Sequence, residues 1–194
     1  MSSVNAQTLV TKYVEFTISK NGLLEKVYFA DETNVVIPDG VRNIGDGEFC
    51  DPVVLLDLRI PHGITGIGDG VFSGCDRLAK VTIPDGVTVI GDRAFYDCYS
   101  LTEVIIPDSV TKIGDDAFAD CNQLERAELP KRLTHIGDRA FGWCESLAGV
   151  TISGSVTHIG DRAFAECSNL IIHAPSGSCA ERYAADNDIT FEAI

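Results

Sequence analysis

No apolar run in this sequence approaches the roughly 20 residues that a membrane-spanning helix requires, so no membrane insertion is expected. Positive charge is scarce as well. The 15 Lys and Arg are outnumbered by 29 Asp and Glu, for a formal net charge of −14. Such a surface repels phosphate backbones, which removes nucleic acid from the expected partners. The first ten residues, Met1 to Val10, contain no basic segment leading into an apolar one, so they do not read as a secretory signal. On that reading the chain as it stands belongs in the cytoplasm, or outside the cell or at its surface if a leader was removed. Missing too are a GxSxG elbow, a phosphate-binding glycine loop, and any Ser or Cys nucleophile placed beside its base. No catalytic residue and no cofactor is assigned. The seven Cys include no CxxC pair and no Cys–His spacing of the kind zinc needs. Their odd number prevents complete pairing within one chain.

In place of such motifs stands a repeat. From Ile37 the chain reads IPDGVRNIGDGEF, and from Ile60 IPHGITGIGDGVF. IPDGVTVIGDRAF, IPDSVTKIGDDAF, LPKRLTHIGDRAF and ISGSVTHIGDRAF follow from Ile83, Ile106, Leu129 and Ile152. The step is 23 residues each time, without insertion. A period held without gaps means one structural unit stacked on itself. Three columns scarcely vary: Phe49 to Phe164, Gly45 to Gly160, and Asp46 to Asp161.

The second half of each unit reads C-x-x-L-x-x-V-x-I, as in Cys75, Leu78, Val81 and Ile83. Its closing alternation marks a short strand with one buried face, and stacked units would pair these strands in parallel. In the first half, Val87 and Ile90 can point inward as a second short extended piece. Gly91 supports a bend there. Asp92 is placed to cap about one helical turn over Arg93-Ala94-Phe95 by accepting the N–H of Ala94 or Phe95. Residues 1–36 read as an N-terminal β-hairpin cap, with Tyr13 to Ser19 and Leu23 to Phe29 joined at Asn21-Gly22. Residues 37–174 hold the six repeats. Residues 175–194 read as a helical cap, with Ser178 and Glu181 in capping-box spacing and a short strand at Ile189 to Phe191. The expected fold is therefore a single-domain repeat solenoid, mainly β. It combines short parallel strands, single helical turns, an N-terminal hairpin and a C-terminal helix.

The unit IP-x-x-V-T-x-IG-D-x-AF-x-x-C-x-x-L-x-x-V resembles the BspA-type leucine-rich repeat. The likeness runs from about Val35 to the C-terminus, whose APSGSCAERYAADNDITF is similar to that family's closing cap. It implies a right-handed leucine-rich-repeat coil of bacterial type and carries no catalytic residues over. It also implies adhesion or interaction with host proteins, since many family members are surface proteins of that kind.

The column residues have structural explanations. Cys75, Cys98, Cys121, Cys144 and Cys167 suit small inward-facing side chains. In the first unit Pro52 occupies that position and Cys50 is displaced, which suggests an altered turn and an exposed thiol. The aligned Asp residues suit caps better than a calcium array, which needs more ligands per turn. His135 and His158 are equivalent in adjacent units and therefore neighbours, but no third metal ligand recurs with them. The Thr column from Thr65 to Thr157 suits exposed strand positions.

Recognition is left to the positions between columns. On the strand face these are Asp57 and Arg59, Lys80 and Thr82, Glu103 and Ile105, Arg126 and Glu128, then Gly149 and Thr151. Their mixed charge and one exposed Ile suit a protein or peptide partner. Trp143, the one Trp of the chain, is expected at the surface as a further contact residue. The alternative is a structural scaffold, with self-association left open.

Overall fold

The computed structural model describes residues 7–10, 14–19, 21–29, 34–45, 47 and 55–194. At 7–10, 14–17, 25–29, 34–36 and 57 it describes the backbone alone. The expected Cys50 turn and thiol lie outside the described residues, as do Phe49 and Asp46 of the first repeat.

Each repeat forms one coil that contributes a strand to each of two sides. On one side are the two-residue strands Asn43–Ile44, Gly66–Ile67, Val89–Ile90, Lys112–Ile113, His135–Ile136 and His158–Ile159. They pair in parallel, each residue beside the one 23 positions on, as in Lys112 beside His135. On the other side are Asn34–Val36, Asp57–Arg59, Lys80–Thr82, Glu103–Ile105 and Arg126–Glu128, also parallel and in register. Gly149–Thr151, Ile171–Ala174 and Thr190–Ala193 continue that side as a separate sheet. One residue of each two-residue strand, buried except for the half-buried Ile159, and the central residue of each three-residue strand from Asp57–Arg59 onward point into the coil, which is why apolar columns recur at those positions.

The core is a set of residue stacks running along the solenoid. Phe72, Phe95, Phe118, Phe141 and Phe164 stack ring on ring at 5.1, 5.2, 5.2 and 5.4 Å between centroids. All five are buried, and burying each contributes about 1.5–3 kcal/mol. Beside them the Cys column from Cys75 to Cys167 is buried and its thiols are not in disulfides. The thiols of Cys98, Cys121, Cys144 and Cys167 donate to the carbonyls of Phe72, Phe95, Phe118 and Phe141 at 3.2–3.3 Å. Burial raises the thiol pKa values of Cys98 and Cys144 and pushes that of Cys167 up to about 12. These groups are protonated donors, not nucleophiles.

Two expectations are corrected. The segment after each Gly-Asp from Gly68-Asp69 onward is a run of turns, not a helical turn. Its backbone passes through the left-handed region twice per coil, at Arg93 (φ 56°) and Asp97 (φ 57°), Asp116 and Asp120, Arg139 and Trp143, and Arg162 and Glu166. Two left-handed residues so close together prevent continuous helical bonding. Second, the Asp residues do not cap their own segment. Oδ1 of Asp69 accepts the N–H of Asp92 at 2.8 Å, and Asp92, Asp115 and Asp138 accept from Asp115, Asp138 and Asp161 at 2.9 Å. The column is a side-chain ladder joining coils. Gly91 also answers to a constraint between coils. A Cβ there would lie 2.7 Å from the Gly68 carbonyl carbon of the preceding coil, so the residue must be Gly because two coils meet at that point.

The Thr column is a second ladder. The hydroxyls of Thr88, Thr111, Thr134 and Thr157 donate to the carbonyls of Thr65, Thr88, Thr111 and Thr134.

Both ends carry a cap. At the N-terminus Val14–Ile18 and Leu23–Phe29 form the antiparallel hairpin, with Gln7–Val10 added outside it. Its turn is wider than the Asn-Gly signal suggests: Gly22, at φ 76°, donates to the Ser19 carbonyl, and the Ser19 N–H bonds the Leu23 carbonyl. Leu24 then pairs in parallel with Ile44 and carries the sheet into the coils. At the C-terminus the helix Cys179–Asp186 begins where the Ser178 Oγ accepts the Glu181 N–H at 3.2 Å. The Glu181 carboxylate reaches back to the Gly177 N–H, one residue before the cap. The final strand starts at Thr190, because the Ile189 N–H still bonds the Ala184 carbonyl of the helix. Tyr183 meets the Phe164 ring edge-on at 6.0 Å, and its hydroxyl accepts the Phe164 N–H at 3.1 Å.

Candidate functional site

On the three-residue strands, alternation places the column residue inside and its two neighbours outside. Register then aligns the outer residues of successive coils in two rows. One row runs Asp57, Lys80, Glu103 and Arg126, and the other runs Arg59, Thr82, Ile105 and Glu128. Of Asp57 only the backbone is described. Arg59, Lys80, Thr82, Ile105, Arg126, Glu128 and Thr151 are exposed and Glu103 is half-buried. Ile105, at 47% exposure, is an apolar point among polar neighbours. The structure thus places together on one face all the expected positions except Trp143. That residue is half-buried in the turn segment between strands, at φ 59°, and is no part of the strand face.

The charges on the face differ in their partners. Lys80 Nζ lies 3.4 Å from Glu103 Oε2, a surface pair worth about 0–1 kcal/mol. Among the described residues, the side chains of Arg126 and Glu128 have no ion-pair or hydrogen-bond partner. Beyond them the face changes character. Arg126–Glu128 and Gly149–Thr151 belong to different sheets, although they lie on consecutive coils. The bonds that lead into the strands elsewhere, Ala79 N–H to Leu56, Thr102 to Ala79, Glu125 to Thr102 and Ile171 to Ala148, have no counterpart from Ala148 to Glu125. A cleft of about 360 Å³ opens at this break, lined by Arg126, Glu128, Leu129, Gly149, Thr151 and His173. His173 Nδ1 lies 3.2 Å from Glu192 Oε2 on the final strand.

Residue types and columns alone do not reveal this break. One signal was present: Gly149 stands where the other coils have Lys80, Glu103 and Arg126, and a glycine inside a strand weakens pairing.

Two further clusters lie away from the face. Asp116 is a buried carboxylate held by Arg139 through Nε at 2.7 Å and Nη2 at 3.0 Å, with Arg93 Nε 3.7 Å away. The bond to Asp116 raises the pKa of Arg139, so this is a fixed ion group across three coils. His135 and His158 stack at 4.3 Å between ring centroids, 12° from parallel. Burial first, then His158 and Lys112, lower the pKa of His135, while Asp115 and Asp138 act the other way. Among the described residues no group of three or more His, Cys, Asp or Glu could hold a metal ion. Among them, too, no helix is long and apolar enough to cross a membrane.

Parallel coils, residue columns and a closed cap at each end define a leucine-rich-repeat solenoid. The BspA type leucine rich repeat model matches in six copies over residues 42–171, and the chain belongs to that family. Solved structures agree. A leucine rich cell surface protein from Faecalibacterium prausnitzii is 30% identical with a TM-score of 0.66, over 89% of this chain and 56% of that one. This chain therefore spans little more than half that relative's length. The leucine rich repeat protein of T. pallidum is 26% identical with a TM-score of 0.79, over 96% of this chain and 98% of that one. A leucine-rich repeat protein from Eubacterium ventriosum is 28% identical with a TM-score of 0.60, over 89% and 45%. No protein of curated function is similar enough to match.

Proposed function

We propose that the chain is a non-enzymatic module that binds a protein or peptide on its strand face. The observation that carries this is the register of that face. It aligns Arg59, Lys80, Thr82, Glu103, Ile105, Arg126 and Glu128 on one side, with Thr151 exposed on the coil beyond, while every column residue between them is committed to the core. A face of both charges around an apolar point suits a polypeptide partner. Likeness to a protein described as a cell surface protein supports a bacterial surface setting, with adhesion or host interaction as its purpose. The test is exchange of the charges at the end of the face. The Arg126→Glu, Glu128→Arg chain should fold normally yet lose capture of the partner recovered with the natural chain. Undiminished capture would remove this face.

A scaffold role is favoured by one observation. Among the described residues, the last strand, Thr190–Ala193, pairs on one side only with Ile171–Ala174 and leaves its outer edge open, and open edges template self-association. Light scattering over a concentration series would show dimers or longer assemblies on that reading, and a constant monomer mass would end it.

A further inference from the structure

We infer that His135 and His158 form a surface site for a first-row transition-metal dication, held by one imidazole from each of two neighbouring coils. The pair lies on the side of the two-residue strands, so the site is independent of the strand-face reading.

Three observations carry it. First, register fixes the pair. His135 stands beside His158 across parallel strands, and their backbone N–H groups bond the carbonyls of Thr111 and Thr134 on the preceding coils. Only the side chains are left to adjust. Their rings stack at 4.3 Å between centroids, 12° from parallel. Two nitrogens bound at about 2.0–2.1 Å to a tetrahedral metal stand about 3.4 Å apart. Closing a difference of about 1 Å needs only a turn about χ2, which is a broad torsion for His. His158 is exposed and has the room to make it.

Second, the ring nitrogens are unengaged. Among the described residues neither imidazole takes part in a hydrogen bond or an ion pair, whereas His173 Nδ1 lies 3.2 Å from Glu192 Oε2. A neutral imidazole nitrogen with no partner is available as a ligand. It suits nickel, copper and zinc, while magnesium and calcium prefer oxygen. Third, the local charge favours a cation. Asp115 and Asp138 lie near enough to act on His135, against one lysine, Lys112. Two carboxylates against one ammonium attract a dication and repel an anion such as phosphate.

The two imidazoles are the protein's whole share of the coordination, and water supplies the rest. The site is thus open and exchangeable, unlike a structural centre closed by four protein ligands. It needs no third side chain, and none joins the pair among the described residues. Folding builds it, since 23 positions separate the two His in the sequence.

The experiment titrates nickel chloride into the full chain by calorimetry at neutral pH, with magnesium chloride and inorganic phosphate as comparisons. One nickel should bind per chain, and neither magnesium nor phosphate should bind at the pair. His135→Gln and His158→Gln should each weaken nickel binding by about tenfold or more, since even groups outside the first shell of a metal site are worth roughly that much. Both changes are on the surface, and an unaltered circular dichroism spectrum would confirm that the variants fold. Cys179→Ser and His173→Gln should leave binding as it is. Lys112→His places a third imidazole beside His135 in register and removes the opposing cation, so it should tighten binding by about tenfold or more. Nickel binding unchanged in both His→Gln variants would overturn the site. So would loss only in Cys179→Ser or His173→Gln, an equal response to magnesium, or no binding up to about 1 mM nickel.

Discussion

Residues in equivalent positions of this chain answer to different constraints, and substitution separates them. The Gly column is set by the approach of adjacent coils. A Cβ on Gly137 would lie 2.6 Å from the Gly114 carbonyl carbon, 2.7 Å from the Asp115 backbone N and 2.4 Å from its Oδ1. Backbone cannot yield as a flexible side chain can, so Gly137→Ala should cost about 3 kcal/mol or more, the upper end of overpacking effects. A denaturant titration would read it as a lower midpoint. The left-handed positions predict the opposite sign. Arg162 is exposed at φ 55°. Left-handed geometry costs an L-residue about 1–2 kcal/mol, partly offset by the greater entropy loss of glycine. Arg162→Gly should raise stability by about 0.5–1 kcal/mol in the same titration. The sequence held the clue to this conformation: Gly47, Gly70 and Gly74 occupy the two left-handed columns in the earlier coils, at φ 66°, 63° and 72°. Later coils fill the same columns with Arg, Asp, Trp and Glu, which hid the pattern and invited the helical reading. The Asp ladder was hidden for another reason. A short acidic side chain before a turn has the same local signature whether it caps its own segment or bonds the next coil.

At the scale of the element, the two strand series behave unequally. The coil, its length and its inward residues were legible because a gapless 23-residue period leaves no other arrangement of the columns. The interruption of the strand face was not, because hydrogen bonds between coils depend on spacing that no single repeat encodes. The two-residue strands also place His135 against His158, and this stack predicts a pH response. The folded pKa of His135 lies below its ordinary 6.5, so the unfolded chain binds more protons through that window and stability rises with pH. The stabilisation is present above about 6.5 and is lost as pH falls through the lowered value. Lys112 reinforces the effect, and Asp115 and Asp138 oppose it. Melting temperature followed from pH 7.5 to 5 should drop more steeply for the natural chain than for His135→Gln. Parallel profiles would show the stack to be neutral in this sense.

The whole molecule is a line of coils, each bonded chiefly to its neighbours, and such arrays gain cooperativity from their interfaces. The Cys column reports on that line, because Cys75, Cys98, Cys121, Cys144 and Cys167 are buried one per coil. In the native chain these five thiols should resist an aromatic disulfide reagent that labels Cys179. Single-Cys variants in rising denaturant should give coincident labelling midpoints if the solenoid unfolds as a unit. Labelling that begins at one end would show fraying by coils.

Tyr183 sets the terms on which this line can change length. Its hydroxyl takes the N–H of Phe164 that in every earlier coil from Phe72 onward bonds the carbonyl of the coil beyond, as Phe141 bonds Ala163. The helix therefore imitates a further coil at the atom where one is missing. A duplicated or deleted repeat upstream meets the same stop. Gene-level gain or loss of a coil can thus lengthen or shorten the strand face while the seal at the end remains unaltered.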